Sequence, residues 1–357
     1  MSRPPRLCAV PVSWPSGLGE LARQLTILDA ARRRWPELSG HLVLNRHLPA
    51  AARALVPNWC EVSWLDTSPT HDDAGVMAAL DRCAPDLVLF DNAGTGRQCR
   101  HARRLGARTV FLSTRPQTLA RGFGASWLPW LEEHWVVGPR ALAEPLPVEW
   151  RLVAAAYGIE VRTVQALYAS DDAARAVAAR DSVGCVDPYV CFLPGGGGGQ
   201  IADETAVATY AAAAERVARR TGVGCVLLVG PLHAGPAPDA PGVVIRRATH
   251  AQAVDLMAGA HLVVLGASSS LFQALAQRRV CVTSTSGGSE QLERARAWAA
   301  RGAVAAAEPT PAALADETCA LLADRPRWTA LRRHVEELAV ENDLPVALQA
   351  IASLLGR

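Results

Sequence analysis

Two carboxylates and a run of glycines are the groups in this chain best placed to do chemistry. Glu20 ends the turn Pro15-Ser16-Gly17-Leu18-Gly19 and opens a helical stretch. There it can act as a general base on an acceptor hydroxyl or amine. It can equally cap the helix N-terminus and sit well in its dipole. Asp91 ends the apolar run Leu87–Phe90 and precedes Asn92-Ala93-Gly94-Thr95-Gly96. It is the alternative base, or an Asx turn or cap for the helix that follows. The run Pro194-Gly195-Gly196-Gly197-Gly198-Gly199 follows the apolar segment Tyr189–Leu193 and precedes a helical pattern. Strand, glycine turn and helix together can bring bare backbone N–H groups up to a phosphate.

Four further loops sit at strand ends. Arg115, in Ser113-Thr114-Arg115-Pro116, can hold an anionic group or be plainly solvated. Nearby Phe123, Trp127, Trp130 and Trp135, with Arg121, read as core or as a face for a hydrophobic acceptor or a membrane. Thr249 and Gln252 form a capping-box pattern around His250. Gly266-Ala267-Ser268-Ser269-Ser270 offers amides and hydroxyls at a helix start. Ser286-Gly287-Gly288-Ser289-Glu290-Gln291 joins another strand to a helix. Gln291 there can bond sugar hydroxyls, and Glu290 is a favourable first-turn acid.

These loops need a scaffold, and the hydrophobic pattern supplies one. Short apolar strands at Leu7–Val12, His41–Asn45, Glu61–Leu65, Leu87–Phe90, Thr109–Ser113 and Trp135–Val137 alternate with helical stretches at Leu21–Arg34, Met77–Cys83 and Arg97–Leu105. The plan repeats with strands at Tyr189–Leu193, Cys225–Val229, Val243–Ile245, Leu262–Leu265 and Val280–Thr283. Such alternation predicts an α/β fold of two doubly wound, Rossmann-like domains facing a cleft. The expected division is 1–150 for the first domain, 151–187 for a linker and 188–330 for the second. Helices fill 331–357. Ligands in such folds bind at strand ends near the switch in strand order.

Composition narrows the function classes. The 357 residues are 50% hydrophobic and carry a formal net charge of +2, so no nucleic-acid partner is expected. All 36 cationic Lys/Arg positions are arginine. Nine cysteines without metal-ligand spacing read as core residues of a reducing compartment. No apolar run approaches the roughly 20 residues of a membrane span. A cytoplasmic protein is expected, with a peripheral place at the membrane's inner face as its one membrane alternative.

Taken together, the loops resemble those of the GT-B glycosyltransferases, closest in pattern to the family 28-like group that adds N-acetylglucosamine to lipid I. The resemblance is best from Tyr189 to about Gly302. It rests on the strand and glycine loop Val190–Gly199, the segment Met257-Ala258-Gly259-Ala260-His261-Leu262-Val263-Val264, the small-residue loop Gly266–Ser270, and Gln273, Gln291 and Gly302. At the N-terminus, Gly17-Leu18-Gly19-Glu20 matches a Gly-rich turn that ends in His in that group and in Glu in the Kdo transferases. Gln273 stands where the group has a ribose-binding Glu. The resemblance implies that Gly195, Gly196, Gly197 and Gly198, with Ser268, Ser269 and Ser270, hold a donor diphosphate. The segment around His250 then contacts the base, Gln273 the ribose, and Glu290 and Gln291 the sugar. Gly17, Gly19 and Arg115 lie on the acceptor side; by the same resemblance the first domain binds the acceptor, the second binds the nucleotide sugar, and the last helix crosses back to the first domain. The implied activity is metal-independent, inverting sugar transfer from a nucleotide sugar, foremost a UDP-sugar, with no further cofactor. Nucleotide-sugar hydrolysis and non-catalytic nucleotide-sugar binding are the alternatives.

Overall fold

The computed structural model describes residues 3–12, 18–169, 173–184 and 187–357. The chain forms two units, Met1–Leu167 with Asp343–Arg357 and Tyr168–Asn342.

The first unit is built on seven strands: β1 (Arg6–Pro11), β2 (Ser39–Asn45), β3 (Cys60–Leu65), β4 (Leu87–Asp91), β5 (Arg108–Ser113), β6 (Glu133–Val137) and β7 (Glu160–Val164). All pair in parallel, in the order β3-β2-β1-β4-β5-β6-β7. The central strands β1, β4 and β5 are nearly unbroken apolar runs because helices cover both faces. Strand order reverses between β1 and β4, where Pro11 stands opposite Asp91. Asp91, and Glu20 in the first turn of the helix after β1, therefore lie near the switch point.

The described residues of 151–187, expected as a linker, are largely helix and strand. Strand β7 lies at the sheet edge, and the helix Ala173–Val183 belongs to the second unit. Its alternating, half-exposed sequence Glu-Val-Arg-Thr-Val suits an edge and lacks the apolar run of a central strand. The unit boundary falls after Leu167. At the return of the chain, the carboxylate of Asp343 accepts from the Gln165 N–H at 2.7 Å. The final helix, Leu344–Leu354, belongs to the first unit and packs against the helix Gly19–Arg34.

The aromatic segment is core and not surface. Trp127 and Trp135 are buried, and Trp127 meets Phe90 edge-on with ring centroids 5.5 Å apart. Trp130 packs partly buried against the same cluster. Among the described residues, no helix is long and apolar enough to cross a membrane.

The second unit has six parallel strands: β8 (Tyr189–Leu193), β11 (Gly224–Val229), β12 (Val243–Arg247), β13 (Leu262–Gly266), β14 (Cys281–Ser284) and β15 (Ala305–Ala306). Between β8 and β11 lies a small hairpin of β9 (Gln200–Ile201) and β10 (Glu204–Thr205). The order β12-β11-β8-β13-β14-β15 reverses between β8 and β13. That is the dinucleotide-binding order, with its switch point beside the glycine loop. The helix Arg325–Glu337, assigned by sequence partly beyond this domain, lies within the unit.

Ile351 in the final helix is fully buried. Ile351→Ala should destabilise the first unit by about 2–5 kcal/mol through transfer and cavity costs. Urea unfolding checks this, and an unchanged midpoint would show that the final helix contributes nothing to that core.

Candidate functional site

In the first unit the two candidate carboxylates have opposite surroundings. Asp91 is fully buried, and both oxygens are occupied. Arg23 Nε donates to Oδ2 at 2.8 Å, Arg23 Nη2 to Oδ1 at 2.6 Å, and Gln24 Nε2 to Oδ2 at 2.8 Å. Burial pushes the Asp91 carboxyl up, while the Arg23 charge and hydrogen bonds oppose that shift. With both oxygens committed and no exposure, Asp91 cannot take a proton from a substrate, which corrects its reading as alternative base. Nor does it cap the next helix. Thr95 does so, with Gln98 completing a capping box. Gln24 occupies the inner stripe of its helix with Leu21, Leu25 and Leu28, and Arg23 is buried beside it. Polar residues on that face were the signal that a buried partner existed.

Glu20 lies in the first turn of the helix Gly19–Arg34. Its Oε1 accepts from Asn92 Nδ2 at 2.9 Å. Arg115 Nη2 is 3.9 Å from the same oxygen, with half the Arg115 side chain exposed and 14% of the Glu20 side chain. Gly19 is the first residue of the helix, and Gly17 lies outside the described residues. Asn92, overlooked by sequence reasoning, is the hub of this loop cluster. It is buried, has φ +51°, and also bonds Thr114, Thr118 and Arg121.

In the second unit three strand-end loops meet at another overlooked residue, Ser286. A Cβ on Gly199 would collide with the Ser286 carbonyl oxygen, and one on Gly195 would lie 3.1 Å from Ser286 Oγ. A Cβ on Gly266, at the end of β13, would lie 2.7 Å from the same Oγ. Gly195 and Gly197 have φ of +81° and +91°, which side chains rarely adopt. Gly196 receives a hydrogen bond on its carbonyl from Leu232 N–H at 2.9 Å, which ties the glycine loop to the turn after β11. Gly198 completes the loop within the same run.

Gln291 holds the Ser286 loop in place. Its Oε1 accepts from the Ser286 N–H at 2.9 Å and the Ser286 hydroxyl at 3.1 Å. So the Gln291 carbonyl serves the loop and is not free for a sugar hydroxyl. Glu290 is exposed in the first turn of the helix Ser289–Ala300. Further along that helix, Arg294 Nη1 donates to the Ala267 carbonyl at 2.7 Å, beside Ser268.

The helix that follows the glycine loop begins only after the β9–β10 hairpin. Its first turn is taken up: Thr205 Oγ1 accepts from the Ala208 N–H at 3.2 Å, and the Ala206 N–H bonds Gly199 at 3.0 Å. The open helix start is instead that of Ser269–Ala276, where Ser268 makes no side-chain cap. Ser268, Ser269 and Ser270 are partly exposed there. Gln273, deeper in the same helix, is buried and bonds His250 Nε2 at 3.1 Å. Burial lowers His250 to about 4, which keeps its imidazole neutral and able to accept that bond. The Thr249–Gln252 capping box is formed around it. Among the described residues, no three His, Cys, Asp or Glu side chains are grouped to hold a metal.

No family model matches the chain, and no curated protein matches its sequence. Solved structures match its fold along its whole length. The spinosyn forosaminyltransferase SpnP is 13% identical, with 100% of both chains covered and a TM-score of 0.68. UGT2 of Phytolacca americana, complexed with UDP-2-fluoroglucose and pterostilbene, is 14% identical over 99% of this chain and 100% of its own, with a TM-score of 0.68. The spinosyn rhamnosyltransferase SpnG, complexed with thymidine diphosphate, is 14% identical over 97% and 99%, with a TM-score of 0.61. The fold is therefore the two-unit, parallel-sheet fold of the GT-B glycosyltransferases. These neighbours lend no support to the narrower lipid I group.

Asp91→Ala should destabilise the protein by about 3–5 kcal/mol, because it strands the buried Arg23 charge. Chemical denaturation checks this. Undiminished stability with lost activity would return Asp91 to the reacting groups.

Proposed function

We propose that this protein transfers a sugar from a nucleoside-diphosphate sugar to an acceptor hydroxyl or amine. The observation that carries the reading is the convergence on Ser286 of the loops after β8, β13 and β14, at the switch point of a dinucleotide-binding sheet. Such a cradle presents backbone amides and small hydroxyls, which suits a diphosphate and offers little to a bulky apolar ligand. The nucleotides carried by the UGT2 and SpnG structures make UDP and dTDP the first two candidates.

In this reading the Gly195–Gly199 amides, Ser268–Ser270 and the open helix start bind the leaving diphosphate, with Arg294 positioning the Ala267–Ser268 turn. Glu20 takes the proton as the acceptor oxygen or nitrogen attacks the anomeric carbon. The bond from that carbon to the diphosphate oxygen breaks, and the developing negative charge falls on fixed donors that need no reorganisation. One displacement inverts the anomeric centre. The reading assigns no role to a metal ion. Gln273 serves here by ordering His250, which presents the base-side backbone.

Testing begins with thermal shift over UDP, dTDP, GDP, CMP and their sugars, since a ligand of the native state raises apparent stability. At least one nucleoside diphosphate should stabilise the protein. Ser268→Asp is the companion variant. Asp is a good N-cap, so the fold should stand, while its charge should weaken diphosphate binding at least about tenfold. Nucleotide affinity equal to wild type in Ser268→Asp, or no stabilisation by any nucleotide, would contradict the cradle. Glu20→Gln should keep nucleotide affinity and lose transfer.

A further inference from the structure

Asn92 uses its side chain completely, and the direction of each bond is fixed. The Thr114 backbone N–H, which can only donate, lies 3.0 Å from Oδ1. The Thr118 hydroxyl lies 2.9 Å from that same oxygen. The amide nitrogen must therefore face the other way. There Nδ2 has two neighbours, Glu20 Oε1 at 2.9 Å and Thr114 Oγ1 at 2.6 Å. Two donor hydrogens meet two acceptors, so one amide hydrogen is committed to Glu20. A hydrogen bond given to one oxygen of a carboxylate fixes its plane.

The backbone keeps the amide at this spot. Asn92 has φ +51°, a region in which Asn is enriched among residues that carry a Cβ. Its own N–H donates to Leu112 at 2.9 Å, and its carbonyl accepts from Arg121 Nη2 at 2.7 Å. Asn92 is thus tied to β5 and to the loop and helix that follow it, by both its backbone and its side chain. Arg115 approaches Glu20 from that same loop, at the same Oε1. Among the described residues no hydrogen bond is made to Glu20 Oε2. The charged groups around this carboxylate are Arg115, Arg23 and Asp91, and the last two are already paired with each other.

We propose that Asn92 is the positioning residue of the transfer reaction: its amide fixes the Glu20 carboxylate by Oε1 and leaves Oε2 to accept the proton. This rests on Glu20 being the base. Asn92 touches no reacting atom and acts only through Glu20.

The test is a carboxyl-carbon NMR titration of protein labelled at the glutamate Cδ, with the Glu20 signal assigned by its loss in Glu20→Gln. In Asn92→Asp two carboxylates stand at hydrogen-bond distance, and the Glu20 signal should titrate about one pH unit or more higher than in wild type. Asn92→Gly tolerates the positive φ and removes only the donor, so its Glu20 signal should lie at a different carbon shift from wild type. Both variants should lower kcat at least about tenfold and leave the donor KM within about twofold, with UDP-glucose and dTDP-glucose as donors. A Glu20 signal as in wild type in both variants, in position and in titration, overturns the positioning role, even if donor is turned over. Wild-type kcat in both variants overturns it equally. A shifted signal in a protein that neither binds nor consumes a nucleotide sugar keeps the contact and sinks the function beneath it.

Discussion

The second unit depends on backbone touching backbone without side chains between. The Ser286 carbonyl lies where a Cβ of Gly199 would stand, and Ser286 Oγ crowds both Gly195 and Gly266. Three loops from three neighbouring strands can share one point only if two of them are bare there. The glycines thus have a packing reason as well as a ligand reason, and the packing reason is the stronger at Gly199. Gln291 then locks the third loop with a single carboxamide oxygen. What remains exposed at this point is backbone and hydroxyl, the surface that a diphosphate recognises best.

The first unit solves a different problem with the same topology. Its switch point has no glycine cradle among the described residues. It has two acidic side chains, Asp91 at the end of β4 and Glu20 in the first turn of the helix after β1, and it separates them by burial. Asp91 is neutralised in place by Arg23 and Gln24, which anchor the first helix to the sheet. Glu20, one helical turn earlier, stays partly exposed and is held by an amide at 2.9 Å, with Arg115 at the longer distance of 3.9 Å. One carboxylate is thereby structural and the other available, from surroundings and not from residue type.

Much of this was legible in the sequence, for a physical reason. Strands buried on both faces must be apolar throughout, so Leu87–Phe90, Tyr189–Leu193 and Leu262–Leu265 announce themselves. Edge strand β7 does not, since one face of it keeps charge. The loops that matter were found because they follow such strands. The roles within them were harder. Whether Asp91 is a base or a buried anion depends on Arg23, 68 residues away, and how Glu20 is held depends on Asn92, 72 residues away. Ser286 carried no signal at all, because its importance lies in what three glycines lack. Gln273 shows the same limit: a position matched by family pattern to a ribose turns its amide to His250.

The account stands on the claim that the Ser286 loops bind a nucleoside diphosphate. Backbone amide NMR during titration with UDP, and separately with dTDP, tests it most directly. The account predicts saturable shifts for the N–H groups of Gly195–Gly199, Ser268–Ser270 and Ser286–Gly288 with at least one of the two. Saturable binding that leaves all of these amides unmoved, or no binding of either nucleotide, would contradict it.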